Sequence, residues 1–194
     1  MSFIADFHIH SKYSLATSKF ADAPNLDYWA KLKGVEVLAT GDAIHPKYLE
    51  ELKTQLQENE NGFLTIKDEY KIKDNIFLPK KLDKPTNFIL TTEISCIYKK
   101  NNKTRKVHNL CVFPNFEVAT KFQKKLEKIG NIHSDGRPIL GLDSKILLEL
   151  LLETDDKAFL IPAHIWTPWF AVLGSKSGFD TIEECFEDLT PEIF

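Results

Sequence analysis

The sequence predicts an α/β domain, and three observations carry the prediction. The chain opens on an apolar strand pattern, Phe3 to His10. A helix pattern, a second short apolar strand and a second helix pattern follow within about the first sixty residues. Further strand and helix patterns then continue to the C-terminus. Strands alternating with helices argue for βα units around a parallel sheet. At 194 residues the chain is long enough for one substantial core and short for two domains, so residues 1–194 are read as one domain.

The elements follow in order. Pro24 to Lys33 reads as a helix with Leu26, Trp29, Ala30 and Lys33 along one side and Gly34 just past its end. Val35 to Thr40 is a short apolar strand that stops at Gly41-Asp42. A second helix starts at Pro46 and is expected to run to about Glu58, where Asn59-Glu60-Asn61-Gly62 stops it. Residues 63–86 give a weak signal, with short apolar pieces such as Ile76-Phe77-Leu78 between charged stretches, and are read as an insertion forming a hairpin or long loop. Phe88 to Tyr98 is an evident strand, Lys99 to Lys106 a basic turn, and Val107 to Phe113 the returning strand of a hairpin. Asn115 can cap a helix extending to Ile129, closed by Gly130. After a loop from Asn131 to Leu142, Asp143 or Ser144 caps a leucine-rich helix ending near Asp155. Phe159 to His164 is a further short buried strand, and Thr181 to Glu187 a last helix.

Composition excludes several classes. The formal charge is -3, so any nucleic-acid contact must come from local patches rather than from a strongly basic domain. Cys96, Cys111 and Cys185 are odd in number and widely spaced, which suits neither a disulfide framework nor a cysteine zinc site. No signal peptide or membrane-length apolar run is evident, and the expected setting is reducing and cytoplasmic, away from membranes.

The chemistry begins in the first strand. Asp6, His8 and His10 alternate, and side chains two apart on a strand share a face. Two imidazoles so placed can serve one metal ion, with the carboxylate as a ligand or as a group orienting a ring. Further candidates fall at or near strand ends: Asp42, Glu93 and His164, with His108 on the hairpin arm returning past Glu93. Imidazoles with carboxylates and no cysteine suit Zn²⁺, Mn²⁺ or Fe²⁺ in a hydrolytic site. A carboxylate such as Glu93 can bridge two ions. Asp42 reads equally as a helix N-cap, and His45 as a loop residue; His133 lacks a matching partner and is left out. Trp166 and Trp169 could stack on a base or pack a loop lid. Lys12, Lys19, Arg137 and the basic turn could meet phosphates or serve only solubility.

These residues carry a family resemblance. Asp6 to Ser14 (D-F-H-I-H-S-K-Y-S) is similar to the opening motif of the PHP (polymerase and histidinol phosphatase) superfamily. Ala39 to Pro46, Leu90 to Ile94, Lys106 to Pro114, Gly136 to Pro138 and Pro162 to Trp169 follow in the order that resembles its endonuclease Q family. The resemblance implies a distorted (β/α)₇ barrel with a site for two or three divalent ions, zinc being usual and Mn²⁺, Mg²⁺ or Fe²⁺ alternatives. It implies a DNA repair nuclease cutting 5′ of a deaminated base, hypoxanthine or uracil, or of an abasic site. Replication or repair proteins are possible partners. It further implies that His8, His10, Glu93, His108 and His164 are metal ligands, with Asp42 a ligand or close supporter and His45 a weaker candidate. His8, His10, Asp42 and Glu93 would form the catalytic group, and Trp166 and Trp169 would border the lesion pocket.

One departure stands out. The family's terminal D-x-H pair has no counterpart, since no histidine follows His164. The expectation is therefore a barrel incomplete at its C-terminal end, with one metal position weak and cleavage impaired. Two other readings remain open: a PHP phosphoesterase acting on small phosphate monoesters, and a degenerate PHP module that binds without catalysis.

Overall fold

The fold is built on one long strand. In a computed structural model, which describes residues 2–73 and 78–194, β5 runs from Asn87 to Lys100 and every other part of an eight-stranded, curled half-barrel sheet attaches to it directly or through a neighbour. Most of β5 between Phe88 and Cys96 is buried, and the polar residues Thr91, Thr92, Glu93 and Ser95 are enclosed along with its apolar ones.

Four strands and two α-helices precede the hairpin that β5 enters. β1 (Ala5–Asp6) pairs in parallel with β2 (Val37–Ala39), and β2 in parallel with the start of β5. Between them α1 (Ala23–Lys33) is capped by Asp22, which accepts from the Asn25 N–H, and is closed by Gly34 in the left-handed region. α2 (Pro46–Gln55) is followed by β3 (Leu56–Glu58) and β4 (Leu64–Ile66), which pair antiparallel with each other, and β4 joins β5 at Phe88.

The rest of the sheet is largely antiparallel. β6 (Lys103–Phe113) pairs with β5 along its whole length, and β8 (Phe159–Pro162) pairs antiparallel with β6. β7 (Ile139–Leu140) lies parallel to β5 at Ser95 and Cys96. α3 (Phe116–Glu127), capped by Asn115, packs against α2 and β6; α4 (Ser144–Leu152), capped by Asp143, packs against β8 and α5 (Ile182–Phe186). Phe88, Leu90, Ile94, Phe113, Phe122, Leu126, Leu148, Leu160 and Phe186 lie in one buried cluster.

Several expectations are corrected. The first strand is two residues long rather than eight, so His8 and His10 stand on the extended segment beyond it. The second helix ends at Gln55; Leu56 to Glu58 turn into β3 because Leu56 fits the core beside Ile66 in the ladder. Of the expected side of α1, Ala30 is buried and Leu26 packs on the core, but Trp29 is 54% exposed and Lys33 faces out, the burial being completed by Ala23, Asp27 and Lys31. The turn between β5 and β6 is only Asn101-Asn102, both at positive φ (54° and 57°), the backbone that tight hairpins require. The remaining basic residues of that stretch belong to the strands. Residues 63–86 are partly built into the sheet through β4, while Ile76 and Phe77 lie outside the described residues. β7, unpredicted, arises in the loop before Leu142. No helix among the described residues is long and apolar enough to cross a membrane.

Candidate metal centre

Glu93 lies 1% exposed in the middle of β5 and is surrounded by imidazoles. Its Oε1 stands 3.1 Å from His8 Nε2, 3.0 Å from His108 Nδ1 and 3.2 Å from His164 Nε2; its Oε2 stands 3.2 Å from His10 Nε2. Four elements contribute. His8 and His10 follow β1, Glu93 comes from β5, His108 from β6, and His164 follows β8. Register explains the middle pair: His108 sits opposite Ser95, on the face Ser95 shares with Glu93, and so reaches Glu93 diagonally across the ladder. Glu93 and His108 are thus interior to their strands, not at strand ends as expected, whereas His8, His10, Asp42 and His164 do follow strand ends.

Two groups of potential ligand atoms result, His8–His10–Glu93 and Glu93–His108–His164, with the atoms of each group within 4.8 Å of one another. Ligands held at about 2.1 Å by one tetrahedral ion stand roughly 3.4 Å apart, close to the spacings found here. Nitrogen and oxygen donors without sulfur suit a borderline or harder divalent ion. The residues therefore fit such a group, and Glu93 alone is common to both sets.

Asp42 takes the supporting position. It is fully buried, at φ +46°, and its Oδ1 is 3.0 Å from His10 Nδ1. Its Oδ2 accepts from the Ser11 N–H (2.6 Å), the Ser11 hydroxyl (2.7 Å) and the Ser14 hydroxyl (2.9 Å). Asp42 does not cap α2; His45 does, with Nδ1 accepting from the Tyr48 N–H at 3.4 Å while Nε2 donates to the His133 carbonyl at 3.0 Å. Both His45 nitrogens are thereby engaged, and His45 stands as the cap of α2, outside the two groups around Glu93. Asp6 is also outside the cluster: it is exposed and accepts from the His8 backbone N–H. The φ of +62° at Gly41, beside the Ile9 carbonyl, leaves no room for a Cβ and lets the two histidine- and aspartate-bearing segments meet.

The electrostatics follow from this packing. Burial pushes the Glu93 carboxyl up, but hydrogen bonds from His10, His108 and His8 outweigh burial and hold it far below the usual carboxylate range. The Asp42 hydrogen bond, followed by that of Glu93, raises His10 to about 9. Burial lowers His164 and His45.

The outer candidates are placed unevenly. Arg137 Nη1 is 3.6 Å from Glu93 Oε2, so Arg137 reaches the centre. Lys12 pairs with Glu51 at 2.9 Å, and Lys19 is exposed; neither contacts the imidazoles among the described residues. Trp166 and Trp169 are exposed, with Lys106 Nζ 5.3 Å from the Trp169 ring centre. Ser11, Ser14 and Thr167, whose Oγ1 lies 3.0 Å from His164 Nδ1, were given no role by the sequence reading. The repeated serine directly after H-x-H was the available signal for the first two.

A curled α/β half-barrel and a shared glutamate ringed by four imidazoles define a domain with a candidate metal centre. In sequence and fold the chain is close to endonuclease Q. It matches the lesion-specific endonuclease of Pyrococcus furiosus with a TM-score of 0.72 and 30% identity over 95% of its own length. It matches endonuclease Q bound to a 27-mer duplex with an abasic lesion at the active site with a TM-score of 0.74 and 30% identity. It is also 32% identical over 178 residues to an uncharacterized protein of Methanocaldococcus jannaschii. The chain spans 39% and 40% of the two solved chains and 18% of the archaeal relative. No family model matches the sequence.

Proposed function

We propose that this chain is the metal-binding part of a lesion-directed DNA endonuclease of the endonuclease Q type, with a PHP-type distorted (β/α)₇ barrel of which residues 1–194 form a catalytic portion. One observation carries the reading: a single buried glutamate shared by two histidine groups, in a fold whose solved relatives act on damaged DNA. His8, His10 and Glu93 would hold one divalent ion, and Glu93, His108 and His164 a second, with Zn²⁺ or Mn²⁺ suiting the donors. Such a pair supplies water activation and a clamp on both oxygens of an in-line phosphodiester displacement.

The chain's own residues have definite tasks in this scheme. Asp42, held by Ser11 and Ser14, fixes the ring of His10 so that Nε2 faces the centre, the arrangement that sets tautomer and basicity in metal-bound histidines. Thr167 does the same for His164 through Nδ1. The exposed rings of Trp166 and Trp169, a few residues past His164, offer faces on which a displaced base can stack.

The test is nicking of duplexes carrying hypoxanthine, uracil or an abasic site, with Mg²⁺, Mn²⁺ or Zn²⁺ supplied. Cleavage 5′ of the lesion, abolished by Glu93→Gln, is the expected result. Turnover of a small phosphate monoester without any nicking would replace this reading with that of a phosphoesterase.

A further inference from the structure

We propose that Arg137 is a phosphate-binding catalytic residue: its guanidinium faces the place beside Glu93 where a phosphate bound at the centre presents its non-bridging oxygens. The proposal rests on the reading of the Glu93 cluster as a metal-assisted phosphodiester site.

The guanidinium is close to the centre and largely unspent. Nη1 stands 3.6 Å from Glu93 Oε2, inside ion-pair range but too long for a hydrogen bond. Nε is buried without a hydrogen-bond partner among the described residues. The side chain is 38% exposed, so a ligand can reach it. A guanidinium carries five N–H donors in a planar fork that matches phosphate oxygens two at a time. Glu93, in turn, already has four imidazole nitrogens within 3.2 Å of its oxygens and does not need the arginine as its partner.

The backbone beneath Arg137 is fixed from three sides. The Asp135 carboxylate accepts from the Arg137 N–H at 3.1 Å and from the Leu15 N–H at 3.3 Å. The Gly136 N–H donates to the Tyr13 carbonyl at 2.9 Å, and the Ser95 N–H to the Pro138 carbonyl at 3.0 Å. A Cβ at Gly136 would strike the Asp42 carboxylate and the Ser14 hydroxyl, so only glycine lets this segment come against the support of His10. Pro138 restricts Arg137 to extended backbone. A long cation mounted this firmly beside a metal centre, with its donors free, is preorganised for a dianionic or developing negative group.

Inorganic phosphate is the probe. The Zn²⁺- or Mn²⁺-loaded chain, its Arg137→Met and Arg137→Lys variants are titrated with phosphate by calorimetry, with metal content and melting temperature measured alongside. Phosphate affinity should fall about 10- to 100-fold in Arg137→Met at unchanged metal content, with Arg137→Lys in between. Equal affinities within twofold, or no phosphate binding by the unaltered chain, would overturn the proposal. A loss of bound metal in both variants would do so too, since the arginine would then be holding Glu93. If phosphate binding depends on Arg137 while no lesion duplex is nicked, the phosphate site stands and the nuclease reading falls.

Discussion

His108 reaches Glu93 across a ladder in which they are not direct partners: His108 pairs with Ser95, yet its Nδ1 lies 3.0 Å from Glu93 Oε1. A slip of one residue in the register of β5 on β6 would turn His108 to the opposite face. The hairpin turn at Asn101-Asn102 therefore helps to set, from a distance, how His108 meets Glu93.

Because Glu93 serves both ligand groups, its amide analogue should empty both. Glu93→Gln is expected to lower transition-metal affinity by at least 100-fold, with the two positions lost together. Equilibrium dialysis against Zn²⁺ with metal analysis reads this directly. Retention of one tightly bound ion would show that the groups are independent.

Asp42→Asn keeps size but removes the charge that orients His10. Groups supporting a metal-bound histidine contribute about 10- to 100-fold in affinity or activity. A loss of that size is expected for Asp42→Asn, and a smaller one for Ser14→Ala, which removes one of three donors to Asp42 Oδ2. Paired metal-binding and circular-dichroism measurements separate this from unfolding.

The metal-free protein should show an acid-shifted stability maximum. His10 rises from 6.5 to about 9 on folding, so its contribution is fully present below pH 6.5 and is lost as pH rises through about 9. Glu93 is held low, so its contribution is present above its unfolded value of 4.5 and is lost on acidification. His164 and His45, lowered by burial, lose their contribution as pH falls below 6.5. Stability measured by urea denaturation with a chelator present should therefore peak near pH 6.5 and decline toward pH 10, by up to about 3 kcal/mol for His10. Adding metal should oppose that decline, because ligands bind metal best when deprotonated. A flat metal-free profile from pH 6 to 10 would refute the assignment.

Far from the centre, Lys31 on α1 is buried between Asp27 and Asp83, 2.9 Å from each. Lys31→Met leaves Asp27, 3% exposed, without its cation. A cost of about 3 kcal/mol is expected. The double variant Asp27→Leu/Lys31→Met should recover most of it, as judged by denaturant midpoints. A single variant within about 0.5 kcal/mol of the parent would show that the pair is effectively solvated.

What could be read in the chain depended on how local the signal was. Asp22, Asn115, Asp143 and Gly34 mark helix boundaries through bonds to near neighbours, and those helices lie close to where the sequence puts them. β7 and β3 escaped notice because each is defined by a partner strand, and two or three residues carry no period of their own. At the site, the histidines and Glu93 were visible as residue types. Which of them meet at Glu93 and which stand behind it was not, since that turns on whether both nitrogens of His45 are engaged and on which carboxylate oxygen faces which ring. His45 and Asp42 exchanged expectations for that reason: the helix is capped by the histidine and the aspartate orients His10.

His164 stands at φ +30° shortly after β8, its Nδ1 3.0 Å from the Thr167 hydroxyl, whose single hydrogen lies within reach of the backbone carbonyls of Trp169 (2.8 Å) and His164 (3.1 Å). The tryptophan loop and the imidazole are thus joined through Thr167. One threonine side chain therefore touches both the ring that faces Glu93 and the backbone that carries the exposed Trp169 indole.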